Sequence, residues 1–225
     1  MPKTIAFDIY GTLIDTSGVY NKLQELIADM ANGVMATWRQ KQLEYSFRRG
    51  LMGRHSGFSV CTRDALLFAC KSHNIILSDS QISELLYEYT KLPAFPDVEI
   101  CLRDCRDRQH EIYAFSNGSR SDVAELLEHA NIISLFDGII STEGVSMFKP
   151  SPKVYHYFIN SVGSEETNTW LISGNPFDVM GARACNWNAA WVQRTQDNIF
   201  DPWDEFSPTA TVQRLNELPD VLDKS

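Results

Sequence analysis

Long apolar runs are missing from this sequence, and no segment approaches the roughly 20 consecutive apolar residues that a membrane-spanning helix needs. Positive charge is short as well. Twenty Lys and Arg against 29 Asp and Glu leave a formal net charge of −9, which argues against nucleic acid as the main partner. An anionic ligand would then need a local cationic pocket to overcome the global field. Cysteine is sparse: Cys61, Cys70, Cys101, Cys105 and Cys185 are odd in number and lack metal-ligand spacing. Reduced, buried thiols in a cytoplasmic protein are therefore expected, with no disulfide framework. The histidines at 55, 73, 110, 129 and 156 show neither metal nor triad spacing and read as structural. Met1-Pro2-Lys3 leads straight into an apolar strand, so no secretory signal is expected. Repeats and low-complexity tracts are absent.

What is present suits a globular enzyme-sized chain. Its 225 residues, 44% hydrophobic and 22% charged, are enough for one real core, or a core with a smaller insert. The chain opens on Ile5-Ala6-Phe7, a short apolar run typical of a buried parallel strand, followed at once by Asp8 and by the turn residues Gly11 and Thr12. From Val19 to Tyr89 the patterning is helical. Asn21–Met30 is amphipathic, and Met35–Leu51 has no Gly or Pro before Gly50. Thr62–His73 has Thr62 as a candidate N-cap, and Asp79–Leu92 has Asp79 or Ser80. Pro93 and Pro96 then punctuate the chain, so residues 16–97 read as an all-helical insertion.

After Pro96 helices and strands alternate. Strands are expected at Glu111–Phe115, Gly138–Ser141, Thr169–Ile172 and Ala189–Gln193, with helices at Val98–Arg108, Ser121–Ala130, within Pro150–Val162 and at Val179–Cys185. A weak helical stretch lies near Val212–Leu218. Five strands with helices between them imply an α/β fold: a Rossmann-like, doubly wound parallel sheet core, residues 1–15 and 98–225, with the helical segment as an inserted cap.

Polar residues recur where strands end: Asp8 after the first, Ser116-Asn117 after the second, Lys149 beyond the third, and Ser173, Asn175 and Asp178 after the fourth. Right-handed crossovers bring these ends to one edge of the sheet. A carboxylate there can act as a nucleophile. Lys149 can orient and charge-balance Asp8, Ser116 and Asn117 offer neutral hydrogen-bond groups, and Asp178 can hold Lys149 or position a water.

Asp8-x-Tyr10-Gly11-Thr12-Leu13, Ser116-Asn117-Gly118, Lys149-Pro150 and Ser173-Gly174-Asn175-x-x-Asp178 resemble the four motifs of the haloacid dehalogenase superfamily. Trp38-Arg39-Gln40-Lys41-Gln42-Leu43-Glu44-Tyr45 resembles the cap signature of its L-2-haloacid dehalogenases. Phosphatases of the superfamily carry an acid two positions after the nucleophile, where this chain has Tyr10; a halide needs no proton to leave. The resemblance implies hydrolysis of short (S)-2-haloalkanoic acids to (R)-2-hydroxy acids through an ester on Asp8, without metal or other cofactor. It carries over Thr12, Arg39, Ser116, Lys149, Tyr155, Ser173, Asn175 and Asp178 as supporting catalytic positions. Ser116 would hold the substrate carboxylate, Arg39 and Asn117 the halide. Tyr10, Gln40, Leu43, Phe58 and Phe177 would form an apolar wall. It also implies a homodimer, with the helical insert as the place to look for the interface. Two departures stand out: Gly174 replaces a common second Ser, and Phe177 a Trp. A Mg²⁺-dependent phosphatase-like hydrolase and a non-catalytic binding protein on the same fold remain the alternatives.

Overall fold

The computed structural model describes residues 2–224. Its sheet holds six parallel strands in the order β3-β2-β1-β4-β5-β6: β1 Thr4–Phe7, β2 Glu111–Ser116, β3 Gly138–Ser141, β4 Thr169–Ser173, β5 Asn188–Val192 and β6 Ala210–Val212. The central strands are buried on both faces, as parallel sheets require. Ile5 and Phe7 point into one core layer with Ile112, Trp170 and Ile172. Ala6 points to the other, where Phe115, Tyr155, Phe158 and Trp187 interlock edge-on.

Sequence order reverses beside β1, which pairs with β2 on one side and β4 on the other. In doubly wound sheets the crevice outside the strand ends at such a switch point is where ligands bind. Phe7 lies level with Ala114 and Ile172, and the Asp8 amide extends the ladder one step by donating to the Ile172 carbonyl at 2.9 Å. Asp8 and the Ser173–Asn175 turn therefore flank the switch point.

Four α-helices lie between Asp15 and Pro93: α1 Ser17–Ile27, α2 Ala31–Leu51, α3 Phe58–Ser72 and α4 Asp79–Glu88. The chain leaves and re-enters through paired backbone, with Asp15 N donating to Pro93 O and Phe95 N to Leu13 O. α5 Val98–Asp107, α6 Arg120–His129, α7 Pro152–Val162, α8 Pro176–Ala184 and α9 Leu218–Asp223 complete the fold. Among the described residues no helix is long and apolar enough to cross a membrane.

Several local expectations need correction. Thr62 does not cap α3. It sits a turn inside the helix, buried, where its hydroxyl donates to the Phe58 carbonyl. α4 is capped by Ser78, neither Asp79 nor Ser80; Ser78 accepts from Gln81 N while the Gln81 side chain accepts from Ser78 N. α8 begins at Pro176, a residue whose fixed φ suits a first helical position, so Asp178 falls in its first turn. The tail supplies a sixth strand at Ala210–Val212, paired to β5, ahead of α9. Three residues are too few to show a strand period.

Candidate active site

Asp8 stands at the end of β1 with 8% of its surface exposed. Its Oδ2 accepts from Thr12 Oγ1 at 2.7 Å, Asn175 Nδ2 at 2.7 Å and Ser173 Oγ at 3.2 Å. Among the described residues its Oδ1 has a single partner, Lys149 Nζ at 3.2 Å. One carboxylate oxygen is thus fixed by several donors while the other keeps lone pairs free. The turn that places Thr12 needs a left-handed residue at Gly11, φ +76°. Gly174 N donates to Thr12 Oγ1 at 2.8 Å, so the turns after β1 and β4 lock together. A Cβ at 174 would lie 2.6 Å from the Gly11 carbonyl oxygen; in this backbone, glycine is required there.

Lys149 bridges two carboxylates. Besides Asp8 it reaches Asp178 Oδ2 at 2.7 Å and the Phe115 carbonyl at 2.9 Å, over the Phe115 ring. It is 1% exposed. Burial is the largest influence on it and pulls its pKa down, but Asp178 and Asp8 together outweigh that and hold it above the ordinary lysine value. Asp178 is fully buried, and its Oδ1 accepts from Tyr155 Oη at 2.7 Å. Burial pushes its pKa up, Lys149 opposes, and Asp8 adds to the rise. Tyr155 is pushed well above its ordinary value by burial and by Asp178, and stays a neutral donor. Ser116 Oγ accepts from Gly118 N at 3.0 Å, and Asn117 Oδ1 from Lys149 N at 2.9 Å.

Arg39, on α2, reaches across to this edge. Its Nη2 donates to Asn175 Oδ1 at 3.0 Å and its Nη1 to Gln42 Oε1 at 2.7 Å. Gln42 Nε2 then donates to Thr62 Oγ1 at 2.7 Å. A continuous chain of hydrogen bonds therefore runs from Asp8 through Asn175, Arg39 and Gln42 to α3. A cavity of about 630 Å³ opens beside it, lined at this end by Tyr10, Arg39, Gln42, Phe58, Gly118 and Asn175.

The structure thus brings together Asp8, Thr12, Arg39, Ser116, Asn117, Lys149, Tyr155, Ser173, Asn175 and Asp178. The expected apolar wall divides. Tyr10 and Phe58 line the cavity; Leu43 and Phe177 are half-buried and do not, Phe177 packing edge-on against Phe47 at 5.5 Å. Gln40 is a correction: it is exposed. Two positions from Trp38 a helix has turned about 200°, so Gln40 faces away and the buried Gln42 takes the inward place. The spacing of Val34, Trp38, Gln42 and Ser46, all buried, is the signal that could have found it.

Lys149 occupies the space between Asp8 and Asp178, the two carboxylates that would hold a divalent cation, and Tyr10 stands where phosphatases of the superfamily carry their acid.

A buried carboxylate at the switch point of a doubly wound sheet, bridged by lysine to a second carboxylate, is an arrangement suited to hydrolytic chemistry. The family model for haloacid dehalogenase-like hydrolases matches residues 2–186, and the chain belongs to that family. Among its relatives is the (S)-2-haloacid dehalogenase of Pseudomonas sp. strain YL, 33% identical over 94% of this chain and 93% of that one. The haloacetate dehalogenase H-2 of Moraxella sp. strain B is 31% identical over 85% of this chain and 86% of its own. The structure of the L-2-haloacid dehalogenase of Xanthobacter autotrophicus with chloropropionic acid covalently bound superposes with a TM-score of 0.88. It is 27% identical, with 99% of both chains covered.

Proposed function

We propose that this chain is an (S)-2-haloacid dehalogenase. The observation that carries the reading is the buried Asp8, with Oδ2 held by several donors, Oδ1 free but for Lys149, and Asp178 across the same ammonium. Asp8 Oδ1 attacks C2 of the substrate from the face opposite the halogen. The C–halogen bond breaks, and the halide leaves with the electron pair toward Arg39 and Asn117. Water then attacks Cγ of the Asp8 ester, giving its proton to Asp178, and the Cγ–Oδ1 bond breaks. The product keeps that oxygen as its hydroxyl, taking back the proton, and Asp8 regains a carboxylate with the water oxygen as the second water proton passes to solvent. Thr12, Ser173 and Asn175 hold Asp8, Ser116 receives the substrate carboxylate, Lys149 balances charge, and Tyr155 orients Asp178. Tyr10 and Phe58 line the entry. No step is routed through a metal.

Residues 16–97 act as a cap over a core formed by 1–15 and 98–225, and the protein works in the cytoplasm as a homodimer. The exposed Leu51, Met52, Val60 and Phe68 at the end of α2 and along α3 support self-association of this face. The test is halide release from L- and D-2-chloropropionate, with and without EDTA, on wild type and Asp8→Asn. Release from the L isomer alone, surviving EDTA and lost in Asp8→Asn, is the expected result. Phosphate release from p-nitrophenyl phosphate that requires Mg²⁺, with no halide release, would replace this reading by a phosphatase.

A further inference from the structure

The cavity beside Asn175 is far larger than a three-carbon acid. Its volume of about 630 Å³ falls within the roughly 300–1,000 Å³ that hold drug-sized ligands. It also has a direction. Gln42, Arg39 and Met35 line it from one face of α2, and seven residues of helix span about 10 Å. One end is the Arg39–Asn175 contact next to Asp8. The other is a chamber between α1, α2 and α4, walled by Tyr20, Met35, Leu86 and Tyr89.

The chemistry of the two ends differs. Arg39 is the one cation among the described residues lining the cavity, while Asp15 and Asp122 also border it. An anionic head is therefore drawn to Arg39. The chamber wall is apolar and partly rigid. Tyr89 packs edge-on against both Tyr10 at 6.0 Å and Trp38 at 5.7 Å, and burial pushes its hydroxyl up to about 12, so it stays neutral. Met35 supplies an adaptable surface suited to ligands of varied outline.

We infer that this site takes 2-haloacids carrying a large uncharged substituent at C2, an alkyl chain of several carbons or an aromatic ring, which occupies the chamber walled by Tyr20, Met35, Leu86 and Tyr89. The inference rests on the dehalogenase reading and names its substrate class. Each additional buried methylene strengthens binding about fourfold.

The experiment compares bromide release from 2-bromopropanoate, 2-bromohexanoate and 2-bromo-3-phenylpropanoate, all with the same leaving group. Wild type is set against Leu86→Trp and Met35→Trp, which fill the chamber. The six-carbon acid is expected to exceed the three-carbon acid in kcat/KM by about tenfold or more, and each Trp variant to cut that ratio at least tenfold with unchanged circular dichroism. Turnover of the three-carbon acid with little or none of the larger two overturns the inference and leaves the dehalogenase reading standing. A ratio unmoved in a folded Trp variant also overturns it. No bromide from any acid overturns both.

Discussion

Replacing Lys149 by Met removes one ammonium that serves two carboxylates. Its Nζ lies 3.2 Å from Asp8, 2.7 Å from Asp178 and 2.9 Å from the Phe115 carbonyl. Methionine nearly preserves the volume, so the loss is electrostatic. Removing one partner of a buried ion pair costs about 3–5 kcal/mol, and with two carboxylates orphaned the upper end is expected. The penalty depends on pH. Burial already holds Asp178 above the ordinary carboxylate range, and Lys149 is what opposes that rise. Without Lys149 the rise is larger. A group that binds its proton more tightly in the folded state gives its stability below its unfolded pKa, and that stability is lost as pH rises through the folded one. Lys149 itself is held above the ordinary lysine value, so its own contribution to the wild type is constant through neutral pH. The variant should therefore be most destabilised near about pH 8 and recover part of the loss near about pH 5. Urea unfolding of both proteins at the two pH values measures this. A loss under about 1 kcal/mol at the higher pH, where a broken buried pair should cost several times more, or an equal loss at both, would refute the reasoning.

Gln42→Leu leaves Arg39 Nη1 without its 2.7 Å acceptor. Hydrogen bonds to charged groups contribute about 1.5–3 kcal/mol, so kcat/KM should fall about 10- to 100-fold by steady-state kinetics while circular dichroism is unchanged. Gly174→Ser forces a Cβ to 2.6 Å from the Gly11 carbonyl oxygen; it should cost about 1–3 kcal/mol in thermal unfolding and lower kcat by loosening Thr12. The acid limb of the kcat–pH profile should lie above the ordinary carboxylate range of about 4, because Asp178 is raised by burial and must be ionised to take a proton from water. An acid limb at or below that range would exclude Asp178 as the base.

The sheet and most of its edge were legible in the sequence because each core strand is a short apolar run ending in a polar turn. Asp8, Ser116 and Ser173 could be placed from that alone. Lys149, in the loop beyond β3, was legible as the partner of Asp8 and Asp178 from the crossover rule; the structure adds that one ammonium serves both carboxylates at once. The Ser78–Gln81 capping box was written in the sequence as Ser-x-x-Gln and was obscured by the neighbouring Asp79 and Ser80. β6 was hidden by its length. Along α2 the polar pattern offers Gln40 and Gln42 alike; rotation about the helix buries one and exposes the other, and this register decides which of them holds Arg39.

The most direct measurement follows oxygen. A single turnover with enzyme in excess over a 2-haloacid, run in water enriched in heavy oxygen, is followed by mass spectrometry of the peptide that contains Asp8 and of the hydroxy acid. Attack of water on the Asp8 ester predicts label in the Asp8 peptide and none in the product hydroxyl. Label in the product with none in the peptide would show that water attacks C2 directly, and would contradict the ester on Asp8.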